Sequence, residues 1–459
     1  MSEIVGDVLF QAPGAVPAPL SFDEVVNRKS LGQWQLAVLA ICLLAQMVDG
    51  FDNQSAAFVA PVIAGKWHLA RGLLGPVFGA GAFGTLVGSL VIGPIGDVLG
   101  RKTLIVISLA LAAVLMATTS LVSSIGELTL IRFLTGLPLG ALIPGTVVIA
   151  NEWAPTRGRA GMVTIMGCGF ALGAVLGGLL SSLLMPRFGW AMVFEAGAGA
   201  TAIIGLVALV WMPESLGYLS SRSSGKAKAR AEAILRRFDP QAVGVNFTVA
   251  QVTAGSRSNL VQSLFLEGRA ATTALLWAAF FMNLLVLNFM NNWLPTMLAS
   301  GGMGAAAAVR TSTLFQVGGI VGVVFMGSLA ARLGTLKLVI GGFLGAAVVV
   351  ALVGLLAGGG RNAAIAAAGF CVIGSQASLA AVAAGLYPTR IRSTGTSWAQ
   401  GFGRLGSTVG PLIGGLFVSL RWSTTQFFVS IAIFSICGFL AALLLTRQIG
   451  KTAPTTTLV

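Results

Sequence analysis

Twelve times along this chain a long run of residues passes almost without charge, and about 20 apolar residues in a helix suffice to cross the hydrocarbon core of a bilayer. The runs predict helices over 33–60, 73–96, 103–122, 127–150, 160–185, 190–212, 271–299, 310–331, 335–357, 362–386, 394–419 and 424–446. An ordinary soluble enzyme is excluded by the same count, since only 9% of the 459 residues are charged and 56% are hydrophobic, against roughly 25% charged in soluble domains. The 61 glycines fit as well, because small residues let membrane helices approach closely. The expectation is an all-α integral membrane protein with twelve transmembrane helices. Its parts are an N-terminal segment (1–32), a six-helix bundle (33–212), a polar connector (213–270), a second six-helix bundle (271–446) and a tail (447–459).

A formal charge of +14 raises the question of a nucleic-acid partner, which would need basic residues clustered on a soluble domain. They are distributed otherwise. Of the 28 basic residues, 20 fall at one membrane face if the N-terminus is cytoplasmic: Arg28, Lys29, Arg101, Lys102, Arg157, Arg159, eight in the connector, Arg332, Lys337, Arg390, Arg392, Arg447 and Lys451. Lys66, Arg71, Arg187, Arg310, Arg361 and Arg421 fall at the other face. The excess marks the cytoplasmic side and places both termini there. The opening stretch lacks the basic start and apolar run of a cleavable leader. Arg132 and Arg404 are left over, inside apolar runs.

The four cysteines, Cys42, Cys168, Cys371 and Cys437, lie within predicted spans at unrelated spacings, and His68 is the single histidine. Neither a disulfide framework nor a metal site is indicated. No cofactor is expected either, since the glycine runs lack the lysine of a phosphate loop.

The chain also repeats itself. Gly93-Pro-Ile-Gly-Asp97-Val-Leu-Gly100-Arg101-Lys102 returns as Gly327-Ser-Leu-Ala-Ala331-Arg332-Leu-Gly334-Thr-Leu-Lys337, and Pro155-Thr-Arg157-Gly-Arg159 returns as Pro388-Thr-Arg390-Ile-Arg392. The offsets are 234 and 233 residues. Two matches at nearly one offset imply two homologous bundles in the same orientation, an arrangement of secondary transporters that places the substrate between the halves.

The Gly93-x-x-x-Asp97-x-x-Gly100-Arg101-Lys102 segment resembles the loop motif of the major facilitator superfamily, along essentially the whole chain. Val98 stands where that motif usually has a basic residue, and the second copy has Ala331 for the acid. Asp49-Gly50-Phe51-Asp52-Asn53-Gln54-Ser55 resembles the first helix of the superfamily's aromatic acid:proton symporters. Arg132-Phe-Leu-Thr-Gly136 with Gly140, Asn292-Trp293-Leu-Pro295, and Arg392-Ser-Thr-Gly395 with Gly403-Arg404-Leu-Gly406 support the match, the last two also resembling hydroxyphenylpropionate carriers. The resemblance implies a two-bundle carrier, monomeric, in a bacterial cytoplasmic membrane, taking up an aromatic carboxylate such as a hydroxybenzoate with protons. A drug:proton antiporter and a carrier of non-aromatic acids are the alternatives.

The residues support a site independently. Asp49 and Asp52 are three apart on one helical face, and each costs roughly 2.5–3.5 kcal/mol at a membrane helix centre, so they are the candidates for proton coupling. Arg132 and Arg404 can each hold a carboxylate in a two-pronged fork. Arg132 is open to a second reading, as a standing partner of one of the two aspartates. Asn288, Asn292, Trp293, Gln316, Gln376 and Trp398 supply amide and aromatic groups for a hydroxylated ring. Asp97, Arg101, Glu152, Arg157, Arg159, Arg390 and Arg392 form a cytoplasmic set of gating or structural charges.

Overall fold

The helices follow the apolar runs but several outrun them, the first continuing through Pro61 to Lys66 and the last reaching Thr452. A computed structural model describes residues 32–155, 159–222, 224–238, 261–266, 268–388 and 391–452, and among them all regular structure is helical. Twelve long helices run in order: α1 (Gln33–Lys66), α2 (Leu74–Val87, continuing with changed winding to Leu99), α3 (Arg101–Thr119), α4 (Ile125–Trp153), α5 (Gly169–Phe188), α6 (Ala191–Trp211), α7 (Ala270–Ser300), α8 (Ala305–Leu333), α9 (Thr335–Leu355), α10 (Gly358–Leu386), α11 (Arg392–Ser419) and α12 (Thr424–Thr452). A short helix over Arg159–Gly167 precedes α5, and the connector folds into helices over Leu216–Ser220 and Gly225–Phe238. Ala231 and Leu219 of the connector pack under the first half.

Eleven helices among the described residues are long and apolar enough to cross a membrane. The exception is α11. Its 28 residues reach about 42 Å at 1.5 Å per residue, but Thr394, Thr396, Ser397, Gln400, Arg404, Ser407 and Thr408 stud its first two-thirds. It packs between α7 and α2, so it has the length and position of the expected span without its apolar character, and Gln400, Arg404 and Ser407 turn to the space between the halves.

The repeat is visible in the backbone. Gly100, between α2 and α3, has φ of 101°, and Gly334, 234 residues later between α8 and α9, has φ of 84°. The Nε–H of Arg159 donates to the Ala154 carbonyl at 3.2 Å and that of Arg392 to the Tyr387 carbonyl at 3.4 Å. Each arginine thus satisfies the carbonyl end of the preceding helix, α4 or α10, which otherwise lacks donors.

The two halves meet at the end away from Gln33 and Thr452. There Arg71 donates to Ser300 Oγ at 2.6 Å, Phe78 meets Trp293 edge-on with centroids 5.6 Å apart, and Gly75 faces Gly415 backbone to backbone. Deeper in, the Gln54 amide donates to the Asn291 carbonyl at 2.8 Å and Gln316 donates to Gln54 Oε1 at 3.3 Å. These contacts close one end of the space between the halves.

Candidate functional site

At its midpoint α1 carries Asp49-Gly50-Phe51-Asp52. A Cβ on Gly50 would run into the carbonyl of Phe170, so this glycine presses α1 onto α5 beside the charged pair. The two aspartates, about 60° apart around the axis and 4.5 Å along it, find different surroundings. Asp52, 1% exposed, receives both terminal nitrogens of Arg132, 4% exposed, from α4. One of these bonds, Nη1 to Oδ1, measures 3.1 Å. This is the forked geometry in which guanidinium binds carboxylate most strongly.

Asp49 instead faces a cavity of about 180 Å³ between the halves. Arg404 of α11 lines the same cavity, close enough to attract it, and no hydrogen bond or ion pair joins the two among the described residues. The remaining wall comes from Asn53, Phe170, Asn288, Gln376, Gln400 and Ser407, with Ala82, Thr85, Ile143 and Leu284 between them. Asn288 is held by its amide donating to Ser407 Oγ at 2.9 Å and to the Leu284 carbonyl at 3.0 Å. Gln376 Oε1 accepts from Asn283 at 2.8 Å, which leaves the Gln376 N–H groups for the cavity. Asn53 Oδ1 is buried without a partner among the described residues. A dry cavity of about 150 Å³ takes up benzene, so this space fits one small ring. It offers that ring one cation, one acid and several amide or hydroxyl groups.

Arg132 and Asn292 do not line that cavity. Both border a space of only about 20 Å³ shared with Asn53, and the Asn292 amide donates to the Asn288 carbonyl at 2.7 Å. Trp293 is fully buried, its Nε1–H donating to the Pro411 carbonyl at 3.0 Å, and serves the packing of the closed end. Gln316 belongs to the amide cluster with Gln54 and Asn291. Trp398 is 47% exposed and stacks on Trp277 with centroids 6.0 Å apart, away from both spaces.

Among the charges expected at the cytoplasmic face, Asp97 and Arg101 form an ion pair four residues apart. Glu152 accepts from Ser215 Oγ at 2.7 Å and from the Leu216 and Gly217 N–H groups at 3.0 and 3.2 Å, so it caps the short helix after α6. Arg159 and Arg392 cap α4 and α10 as described. Arg157 and Arg390 lie outside the described residues. One acid escaped the sequence reading: Glu214, 3% exposed, accepts from the Lys102 N–H at 2.8 Å and places its charge at the N-terminus of α3, where the helix dipole favours it. Its signal was its place in the Pro213-Glu214-Ser215 stop after the sixth apolar run. Phe170 and Ser407 were also missed; Ser407 stands one turn beyond Arg404, which spacing alone would have paired.

Residues 42–375 and 311–457 match the sequence profile of the Major Facilitator Superfamily. The chain is 36% identical to a gallate transporter from Pseudomonas putida over 93% of its own length and 95% of the relative's. It is 34% identical to the 4-hydroxybenzoate transporter PcaK of Acinetobacter baylyi over 89% and 90%, and 28% identical to the 3-(3-hydroxy-phenyl)propionate transporter of Escherichia coli over 91% and 96%. Among solved structures, a bacterial homolog of the human lysosomal transporter Spinster superposes with a TM-score of 0.73 at 16% identity, covering 93% of this chain and all of the other. The xylose transporter XylE of E. coli superposes with 0.67 at 16% identity, covering 92% and 100%. Twelve long helices in two matching halves, a counter-charged space between them and these likenesses agree: the chain is a multi-pass membrane transporter, not an enzyme, and belongs to the aromatic acid transporters of the major facilitator superfamily.

Proposed function

We propose that this protein imports a small aromatic carboxylate together with protons, by alternating access. The observation that carries the reading is Asp49 from one half and Arg404 from the other, facing one ring-sized cavity. In the empty carrier Asp49 is the counter-charge of Arg404. An entering carboxylate takes the Arg404 fork, and Asp49, left in a low-dielectric space without its cation, accepts a proton. Charge within the cavity is then neutralised, and the halves can rock about it. Phe170 offers a face to the ring, and Asn53, Asn288, Gln376 and Gln400 offer partners to ring hydroxyls. Asp52–Arg132 stays paired and holds α1 to α4.

With the basic excess marking the cytoplasm, the closed end faces outward and the cavity belongs to an inward-facing carrier in a bacterial cytoplasmic membrane, both termini inside. The names of the relatives, carriers of gallate and 4-hydroxybenzoate, support a hydroxylated benzoate as the first substrate to try. The test is uptake of labelled 4-hydroxybenzoate into proteoliposomes, with a pH gradient and a membrane potential imposed separately and a panel of aromatic and aliphatic acids as competitors. Uptake indifferent to both gradients would sink proton coupling. Equal competition by aliphatic acids would sink the aromatic specificity.

A further inference from the structure

A second cavity, of about 600 Å³, lies at the closed end, apart from the central one. Its walls come from both halves: Arg71 and Gly72 ahead of α2, Thr296 and Ser300 in the last turns of α7, and the stretch joining α11 to α12. Among the described residues two arginines line it, Arg71 and Arg421, and no Asp or Glu does. Arg71 spends one N–H on Ser300 Oγ, which leaves most of the five donors of its guanidinium. Thr296 is buried and its hydroxyl has no partner among the described residues. Trp422, stacked on Phe417 at 4.1 Å and 13°, gives a rigid aromatic wall.

Arg421 is an unusual choice for its backbone. α11 ends in a turn closed by the Trp422 N–H on the Phe417 carbonyl at 3.2 Å, and Arg421 takes φ of 56° there, a place glycine usually fills. The matching end of α5, 232 residues earlier, does use glycine: Gly189 has φ of 84° and precedes Trp190 as Arg421 precedes Trp422. The second half thus holds an arginine in a strained conformation that its counterpart avoids, and such strain gathers at ligand clamps.

We propose that this cavity binds an anion of the transported class, a small aromatic carboxylate, its charge between Arg71 and Arg421 and its ring against Trp422. The choice of anion rests on the substrate reading above. Because the walls belong to both halves, the site is whole only while this end is closed. A ligand that binds one state favours that state, so external substrate at high concentration holds the carrier closed to the outside and slows its own uptake.

The test uses the full chain in phosphatidylcholine nanodiscs, titrated with labelled 4-hydroxybenzoate, as wild type, Arg404→Ala, Arg421→Gly and the double variant. Arg421→Gly suits the backbone at that turn, so loss of binding there is not loss of fold. The expected result is a class of binding that survives Arg404→Ala and is weakened at least tenfold by Arg421→Gly. Wild-type uptake should decline at high substrate while Arg421→Gly uptake does not. Binding abolished by Arg404→Ala alone overturns the outer site and leaves the central reading standing. Binding that persists undiminished in the double variant overturns the outer site too, as does displacement of the label by phosphatidylglycerol, which would assign the arginines to lipid phosphate. An uptake curve without decline overturns the conformational effect. Binding sensitive to Arg421→Gly, with no uptake of any aromatic carboxylate, supports the outer site and overturns the central reading.

Discussion

At the scale of single residues, the two aspartates of α1 stand in different surroundings, Asp52 paired with Arg132 and Asp49 facing the cavity. Asp49→Asn should abolish accumulation driven by a pH gradient while labelled exchange across the membrane continues, because a neutral amide mimics the protonated acid and lets the loaded carrier rock; accumulation equal to wild type would remove Asp49 from the proton path. Arg404→Ala removes the charged donors of the central cavity. At roughly 1.5–3 kcal/mol for a hydrogen bond to a charged group, it should lower uptake efficiency about 10- to 100-fold. Arg404→Lys should rescue little of it, since an ammonium lacks the fork; recovery to near wild-type uptake would mean that charge alone suffices. Breaking the Asp52–Arg132 pair by Arg132→Leu leaves a carboxylate buried alone, at a cost of about 3–5 kcal/mol. The double change with Asp52→Leu should therefore melt higher than the single one. All four charges were legible in the sequence by their rarity inside apolar runs, but which aspartate met which arginine was not. That assignment depends on which helix lies 60° further round α1, and no spacing within one segment encodes it. Trp398 shows the limit from the other side: an aromatic residue six positions from Arg404 stands at a plausible depth and yet points away.

At the scale of elements, close packing is carried by glycines that meet a neighbouring backbone. A Cβ on Gly173 of α5 would strike the Met47 carbonyl of α1, whereas Gly199 of α6 has nothing within 4 Å of such an atom. Gly173→Leu should eliminate the monodisperse folded protein on gel filtration in detergent, and Gly199→Leu should leave it intact; tolerance of both would mean that α1 and α5 can part without harm. The helices themselves were readable because apolar length is a property of each run. The interior of α2 was not. It widens to a π-helical turn over Gly88–Ile92 and tightens to a 3-10 turn over Gly93–Ile95, where Pro94 has no N–H for the regular ladder. The loop motif located that segment by its charges and glycines, which do not state the winding.

At the scale of the whole molecule, the closed end is a contact between halves, and in the proposed cycle it must part for substrate to pass there. A Cβ on Gly72 would meet the Ser419 side chain, so Gly72→Cys with Ser419→Cys, with the four native cysteines replaced by alanine, should cross-link on oxidation and stop uptake. Reduction should restore it, and uptake that continues in the cross-linked protein would show that this end does not gate transport. The coupling ratio is a property of the same scale. One proton with one monoanion moves no net charge, whereas each further proton adds about 2.3 kcal/mol per 100 mV of potential, so the response of accumulation to an imposed potential counts the protons. The backbone match between the halves, Gly100 with Gly334 and Arg159 with Arg392, carries one more consequence. A protein built from two matching halves carries, for each local arrangement, a second version against which the first can be compared. Where the first half clasps Asp97 to Arg101, the second has Ala331 and Thr335 at the matching places, so the two halves are unequal partners at that end: one is latched by charge and the other has no such latch to release.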